Sequence, residues 1–286
     1  MQTSLTIIGG DARYTHTARF LRNHGWNVDT FQVQGSPNTV SGEHIFRNPV
    51  LLLPYPAFNA RGFIPFLQGE SILSAQELAP HCSRDTTLIC GRPGQYAPLL
   101  QATGARVIDY EQDEFLTAAN AVLTAEGALG LALQQMDRTL WTENCLVVGF
   151  GRLGKQISRR LQLWGANVTV SARSAVDRAL IQTLGMRCDT TAAYTHPLSA
   201  YCLILNTVPA PVFTPQHYAQ IAPHCKLIDL ASSPGGIDAS QCLKHSLSFL
   251  HARGLPGKTA PVTAGQLIAQ TVIRTLTPKE APCKVP

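Results

Sequence analysis

Cys145-Leu146-Val147-Val148-Gly149-Phe150-Gly151-Arg152-Leu153-Gly154 is the stretch that decides the fold. Four apolar residues of a strand run directly into G-x-G-x-x-G. A helical pattern follows over 153–164, and another strand-like run follows over 167–171. Alone the glycine pattern is weak; between a strand and a helix inside a βαβ unit it is the fingerprint of a dinucleotide site. Each glycine has a separate task. Gly149 permits the tight turn, Gly151 lets the backbone approach a pyrophosphate, and Gly154 lets the helix pack on the strand. The helix N-terminus then offers N–H groups and a positive dipole end to the phosphates. Phe150, Arg152 and Leu153 fill the turn between the glycines. The same six residues without a ligand would be an ordinary glycine-rich βα turn, and the flanking strand and helix weigh against that.

Working outward, the alternation continues in both directions. Apolar strand signals fall at 145–149, 167–171, 202–207, 226–230 and 247–252, with helical patterns between them, the clearest at 153–164 and 175–184. Upstream, strands are predicted at 5–9, 27–31, 50–53, 86–90 and 106–109, with a helix over 15–24 stopped by Gly25. Strands alternating with helices imply parallel sheets covered on both faces. The expected fold is therefore α/β, with two doubly wound parallel-sheet (Rossmann-like) domains and an interdomain cleft. The expected division is a Rossmann-like substrate domain over 1–117, an interdomain helix over 118–138, the dinucleotide domain over 139–260, a C-terminal helix over 261–277 and a loose tail over 278–286. Thr124 is read as the N-cap of a helix over 125–135, despite the low helix propensity of Gly127 and Gly130.

Composition fits this picture. The chain has 286 residues, 45% hydrophobic and 14% charged, with a net charge of +5 and no Lys/Arg run. That balance suits a globular protein acting on small anions and speaks against a nucleic-acid partner. The start lacks a basic n-region, and its apolar run stops at Gly9-Gly10, so no signal peptide is expected. No membrane span is expected either, because the most apolar helical stretch is interrupted by Asn120, Glu126 and two glycines. The eight cysteines form no C-x-x-C pair and several sit in strand-like runs, which points to reduced thiols in a cytoplasmic chain. The nine histidines, among them His251, show no ligand spacing, so no metal site is expected.

The coenzyme type follows from a missing charge. An NAD site places Asp or Glu about 20 residues beyond the glycines, where it accepts from the ribose 2′-OH. No acidic residue lies between Gly149 and Val176; the second strand ends instead in Ser171-Ala172-Arg173-Ser174. Arg173 with the hydroxyls of Ser171 and Ser174 would bind a 2′-phosphate that a carboxylate would repel. NADP is therefore expected rather than NAD. Three further strand ends are candidates for the nicotinamide wall: Asn206-Thr207-Val208-Pro209, the segment from Asp229 through Ala231 to Gly236, and the segment from Gly254 through Lys258 to Pro261. Ordinary αβ turn chemistry would explain each one singly.

In the first half, Gly9-Gly10-Asp11-Ala12-Arg13 also closes a strand. Arg13 would grip a carboxylate, with Gly10 opening a helix N-terminus towards it; alternatively Asp11 is an N-cap and Arg13 a surface residue. Asn120, Thr124 and Glu126 cluster where the interdomain helix is expected, and capping with dipole complementarity would explain them too.

At these residues the chain resembles a known family, the A subunit of dipicolinate synthase. The matching pieces are Ile8 to Arg13, Asn120 with Thr124 to Gly127, Gly149 to Gly154, Ser171 to Ser174, Asn206 to Pro209, Asp229 to Gly236 and Gly254 to Gly265. The resemblance implies two Rossmann-like domains related to alanine dehydrogenases and D-2-hydroxyacid dehydrogenases. It implies NADP-dependent oxidation of dihydrodipicolinate to dipicolinate (pyridine-2,6-dicarboxylate), a flavoprotein-like partner that serves as second subunit, and a role in bacterial sporulation. Under that reaction Gly10, Arg13, Asn120 and Thr124 are the candidates for holding the dicarboxylate. Lys258 or Arg152 is the candidate for a second cationic anchor, and Glu126 or Asp11 for proton acceptance. Two alternatives stay open: a 2-hydroxy or 2-amino acid dehydrogenase, and a cofactor-binding protein without turnover. Self-association is left open as well.

Overall fold

The computed structural model describes residues 4–65, 73–191 and 193–277. The expected loose tail, 278–286, lies outside the described residues. The fold divides into two compact units. One comprises the chain to Asn120 together with the C-terminal helix from Ala260 on; the other is Ala121–Thr259.

The first unit is built from β1 (Ser4–Ile8), α1 (Ala12–Asn23), β2 (Asn27–Phe31), β3 (Val50–Leu52), α2 (Ala75–Leu78), β4 (Thr87–Cys90), α3 (Ala97–Gln101), β5 (Arg106–Asp109) and the beginning of α4 (Glu114–Gln135). Its five strands are all parallel, in the order β2-β1-β3-β4-β5. The second unit holds the rest of α4, then β6 (Asn144–Val148), α5 (Arg152–Leu163), β7 (Asn167–Ser171), α6 (Ala175–Thr183), β8 (Arg187–Asp189), β9 (Leu203–Asn206), α7 (Pro215–Gln220), β10 (Lys226–Asp229), α8 (Ala239–Lys244), β11 (Ser248–His251) and α9 (Leu255–Thr259). Its six strands are also all parallel, in the order β11-β10-β9-β6-β7-β8. The last helix, α10 (Pro261–Leu276), counts with the first unit.

The inner strands β1, β3, β4, β6 and β9 are buried on both faces, which is why they read as nearly continuous apolar runs. Successive residues of β6 alternate between two separate cores: Cys145 and Val147 enter one, Leu146 and Val148 the other. Leu5 and Ile7 likewise share a core that Ile8 does not. Two α/β domains with doubly covered parallel sheets are what the alternation of signals implies.

Several local expectations change. α1 starts at Ala12 rather than residue 15, because the Asp11 carboxylate accepts from Arg13 N and caps it. α4 starts at Glu114, so Thr124 lies inside a continuous helix and is not an N-cap. Tertiary packing overrides propensity there. A Cβ on Gly127 would stand 2.8 Å from Thr259 Oγ1, so the glycine lets α9 approach. Among the described residues, α4 is the helix long and apolar enough by composition to cross a membrane. Its Ala125, Ala128, Leu129 and Ala132 are buried in the core of the second unit. β8 is a further strand beyond those expected. The seven described cysteines are unpaired and all but Cys188 are buried; burial pushes the Cys82 and Cys242 thiols up to about 11.

Close helix packing in the first unit rests on Gly265 of α10. A Cβ there would meet the Arg13 carbonyl oxygen at 2.3 Å and Thr17 N at 3.0 Å, both backbone atoms of α1. Thr17 Oγ1 also donates to the Gly265 carbonyl across this contact (2.9 Å). Gly265→Ala is expected to cost about 1–3 kcal/mol by overpacking. A urea midpoint lowered at unchanged slope is the measurement that checks it.

Candidate functional site

In the second unit the order of the strands reverses direction between β9 and β6, and in open α/β sheets ligands bind outside the carboxyl ends of the strands at such a point. The glycine turn sits there. Gly149 has φ +98°, and its amide donates to the Ser171 carbonyl (2.9 Å). A Cβ on it would meet Thr207 Oγ1 at 2.4 Å. A Cβ on Gly154 would stand 2.1 Å from the Gly149 carbonyl oxygen, so α5 rests directly on the turn. Gly151 differs from both: a Cβ there would meet nothing within 4 Å. One glycine turns, one packs, and one leaves open space in front of the backbone. Gly151 is also the N-cap of α5, and no side chain caps that helix, whereas Ser174 caps α6 and Asp238 caps α8. Arg152 is exposed at the turn, Leu153 is half-buried, and Phe150 packs in the core with Lys155 Nζ over its ring at 5.2 Å. Backbone and charge here fit a pyrophosphate.

At the end of β7, Arg173 is exposed. Arg178 Nη1 donates to the carbonyls of Arg173 (2.6 Å) and Ala172 (3.1 Å), which brings a second guanidinium to this edge. Ser174 accepts from Asp177 N (3.3 Å) and so spends its oxygen on capping α6. Ser171 is a correction: its side chain is fully buried, so the expected 2′-phosphate contact through its hydroxyl is withdrawn. A carboxylate does reach this edge, from the neighbouring strand. Asp189 pairs in register with Ser171, is buried, and accepts from Thr195 N (3.2 Å) and Thr195 Oγ1, with His196 Nδ1 at 3.2 Å.

The ends of β9 and β10 are fastened together. Asn206 Nδ2 donates to Asp229 Oδ1 (2.8 Å) and to the Val208 carbonyl (3.0 Å), while its Oδ1 accepts from Val208 N (3.0 Å). The side chain of Asn206 is thus consumed in shaping the loop, not in offering an amide to a coenzyme. Thr207 Oγ1 donates to the Val148 carbonyl (2.9 Å), and Val208 and Pro209 carry the chain out over the edge. Buried Asp229 also accepts from Ala231 N (3.0 Å), Gly236 N (2.8 Å) and Ile237 N (3.0 Å), so its charge is met by N–H groups throughout. Beyond β11, Arg253 Nε donates to His251 Nε2 (2.7 Å) and Arg253 Nη2 lies 3.5 Å from the Pro234 carbonyl. Lys258 is exposed on α9, and Glu126, 59% exposed on α4, pairs with Arg160 of α5 (3.6 Å). Asn120 and Thr124 are half-buried on α4.

In the first unit, Gly9 and Gly10 have φ +70° and +105°. A Cβ on Gly10 would collide with the Tyr14 ring, 2.3 Å from its Cδ2. The N-terminal amides of α1 are already taken: Ala12 N by Gln34 Oε1 (3.1 Å), Arg13 N by Asp11 Oδ1 (3.1 Å) and Tyr14 N by the Asp11 carbonyl (2.9 Å). The helix end is therefore not the anion site suggested by the glycines. The side chain of Arg13 keeps unused donors instead. Its Nε donates to both oxygens of Asp11 (2.8 and 3.0 Å), and its Nη groups make no hydrogen bond among the described residues. Only 12% of this side chain is exposed. Burial works against its charge, but Tyr14, Asp11 and Tyr110 outweigh burial and its pKa is raised. Beneath it the buried hydroxyls of Tyr14 and Tyr110 bond to each other, and burial pushes the Tyr14 hydroxyl up to about 12. Tyr110 is absent from the residues expected at the site; its signal in the sequence is its place directly after the strand 106–109.

No protein-family model matches the chain. It is 28% identical over 283 residues to the A subunit of dipicolinate synthase from Bacillus subtilis, covering 95% of each. The crystal structure of the A subunit of dipicolinate synthase from Bacillus halodurans superposes with a TM-score of 0.83 at 28% identity, covering 96% of this chain and 98% of that one. A transhydrogenase from Sinorhizobium meliloti shares the fold, with a TM-score of 0.69 at 15% identity over 95% of this chain and 93% of that one. In sequence and in fold alike, and over nearly its whole length, the chain is thus similar to the A subunit of dipicolinate synthase.

Proposed function

We propose that the chain is an NADP-dependent oxidoreductase that converts dihydrodipicolinate to dipicolinate in the cytoplasm, together with a flavoprotein-like second subunit, during spore formation. The observation that carries this reading is the division of labour among Gly149, Gly151 and Gly154 at an uncapped helix N-terminus, in a chain similar throughout to the A subunit of dipicolinate synthase. NADP+, when bound, supplies a hydride acceptor. The residues of the second unit orient it: the glycine turn and the first turn of α5 take the pyrophosphate, Arg173 takes the 2′-phosphate, and Thr207, Val208, Pro209 and Ala231 line the other half. In the first unit Arg13 anchors a substrate carboxylate through its Nη groups, held in line by Asp11. The dihydropyridine ring gives up one hydride and one proton and becomes aromatic, so positioning carries most of the catalytic burden. Asp11 and Glu126 are the proposed proton acceptors, each beside a guanidinium.

The direct test is spectroscopic. Purified chain, with and without the second subunit, is mixed with NADP+ and freshly prepared dihydrodipicolinate. Dipicolinate and NADPH absorbance rising together is the expected result; turnover of pyruvate-type acids in their place overturns the substrate assignment. For the coenzyme, Arg173→Ala is expected to weaken NADPH binding by about tenfold to a hundredfold, the worth of a charge-assisted phosphate contact, and to leave NADH binding unchanged. Titration of both coenzymes by fluorescence checks this, and equal losses for the two would reject the 2′-phosphate role.

A further inference from the structure

The loops at the carboxyl ends of β9, β10 and β11, residues 207–214, 230–238 and 252–260, carry Arg253, Lys258 and a single acid, Asp238, whose Oδ1 caps α8 by accepting from Ser240 N (2.8 Å), Ser240 Oγ (2.6 Å) and Gln241 N (3.3 Å). The carboxylate that closes β10, Asp229, is buried and bonded to Asn206 Nδ2 and to three backbone amides. This half of the edge therefore carries two cations against one solvent-facing acid, and that acid is engaged in capping α8.

The three loops are also locked to one another. A Cβ on Gly236 would meet the Val208 carbonyl at 2.4 Å, Asn206 Nδ2 at 2.5 Å and the Ala210 carbonyl at 2.6 Å. A Cβ on Gly235, at φ +97°, would meet Asp229 Oδ2 at 2.7 Å and His251 Cε1 at 3.1 Å. Arg253 is held on this platform. A guanidinium only donates, so His251 Nε2 accepts from Arg253 Nε (2.7 Å), and the same nitrogen lies 3.3 Å from the Ala231 carbonyl, which sets the ring against the loop after β10. With Nε committed to His251 and Nη2 only grazing the Pro234 carbonyl, Nη1 makes no hydrogen bond among the described residues. The hydrogen-bond partners of Arg253 among the described residues are His251 and the Pro234 carbonyl, so no carboxylate offsets its charge.

We propose that Arg253 binds a carboxylate of the substrate at the nicotinamide half of the sheet edge, with His251 as its positioning residue. The inference rests on the coenzyme reading above, which sets the adenosine half at β7 and leaves the β9-β10-β11 half for the nicotinamide and the substrate. Arg253 thereby takes the anchoring role expected of Lys258 or Arg152.

The experiment compares wild type, Arg253→Gln, His251→Phe and the double variant, each loaded with NADPH. Calorimetry is run with pyridine-2,6-dicarboxylate and with pyruvate, and steady-state kinetics with dihydrodipicolinate. Arg253→Gln is expected to weaken dicarboxylate binding and raise KM by about tenfold to a hundredfold, with NADPH affinity and melting temperature unchanged. His251→Phe is expected to raise KM less, and the double variant to be no worse than Arg253→Gln, because the histidine acts through the arginine. Undiminished dicarboxylate binding by Arg253→Gln overturns the proposal. If wild type binds pyruvate but no pyridine dicarboxylate, and Arg253→Gln loses the pyruvate, the substrate assignment falls and the carboxylate role of Arg253 stands. If wild type binds neither acid, both fall.

Discussion

Gly154→Ala is expected to abolish measurable NADPH binding, with a loss of at least about a hundredfold, and to lower the melting temperature by several degrees. The added methyl would lie 2.1 Å from the Gly149 carbonyl oxygen and 2.8 Å from its carbonyl carbon. Both are backbone atoms, so no side chain can rotate away. Either α5 lifts off the turn or the turn itself shifts, and Gly149 has little room, since its own Cα faces Thr207 and Val208. Overpacking of this kind costs about 1–3 kcal/mol in stability. The effect on binding is larger, because the first-turn amides of α5 and the open approach at Gly151 must converge on one pyrophosphate. A displacement of about 1 Å breaks that convergence. Gly151→Ala separates the two effects. It has open space and ordinary φ, so its stability should be preserved while its methyl group stands where the coenzyme is proposed to lie. Calorimetric titration with NADPH beside thermal melts checks both variants. Wild-type coenzyme affinity in Gly154→Ala would remove the glycine turn from the site.

The second large effect is expected at Arg13. Arg13→Gln should raise the KM for dihydrodipicolinate by about a hundredfold or more and leave the NADPH dissociation constant unchanged. A charge-assisted hydrogen bond contributes about 1.5–3 kcal/mol, and a two-pronged guanidinium–carboxylate pair contributes more than a single one. The guanidinium is held ready: Asp11 fixes Nε, the Tyr14 ring lies 5.7 Å from its carbon, and little water reaches it. Because Asp11 caps α1 through Arg13 N as well, the cap survives the substitution, and the helix should keep its start. Arg13→Lys should recover only part of the loss, since an ammonium lacks the planar fork. Unchanged kinetics in Arg13→Gln would take this residue out of the substrate site.

Much of the fold is legible in the sequence because its signals are local. A parallel strand buried on both faces is a run such as Cys145 to Val148, and a βα turn is a spacing of glycines. Where the chain departs from expectation, distant partners are responsible. The start of α4 cannot be read from Thr124, because the helix propensity lost at Gly127 is offset by α9 packing against it. β8 is three residues long, and its pairing with β7 is what makes it a strand. Ser171 looks available because β7 alternates polar Asn167, Thr169 and Ser171 with Val168 and Val170, the pattern of a strand with one wet face, whereas Thr169 and Ser171 are in fact buried.

The class of fold, the place of the glycine turn and the absence of an acid at the end of β7 are all legible along the chain, because each depends on neighbours a few residues apart. It takes the folded chain to show that Gly151 faces open space, that Asp189 lies beside Ser171, that Tyr110 bonds to Tyr14 under Arg13, and that Arg253 hydrogen-bonds to His251 beside the loop after β10. The physical reason is that parallel strands pair only across long connections. Such pairing brings together residues whose separation along the chain carries no trace of their contact.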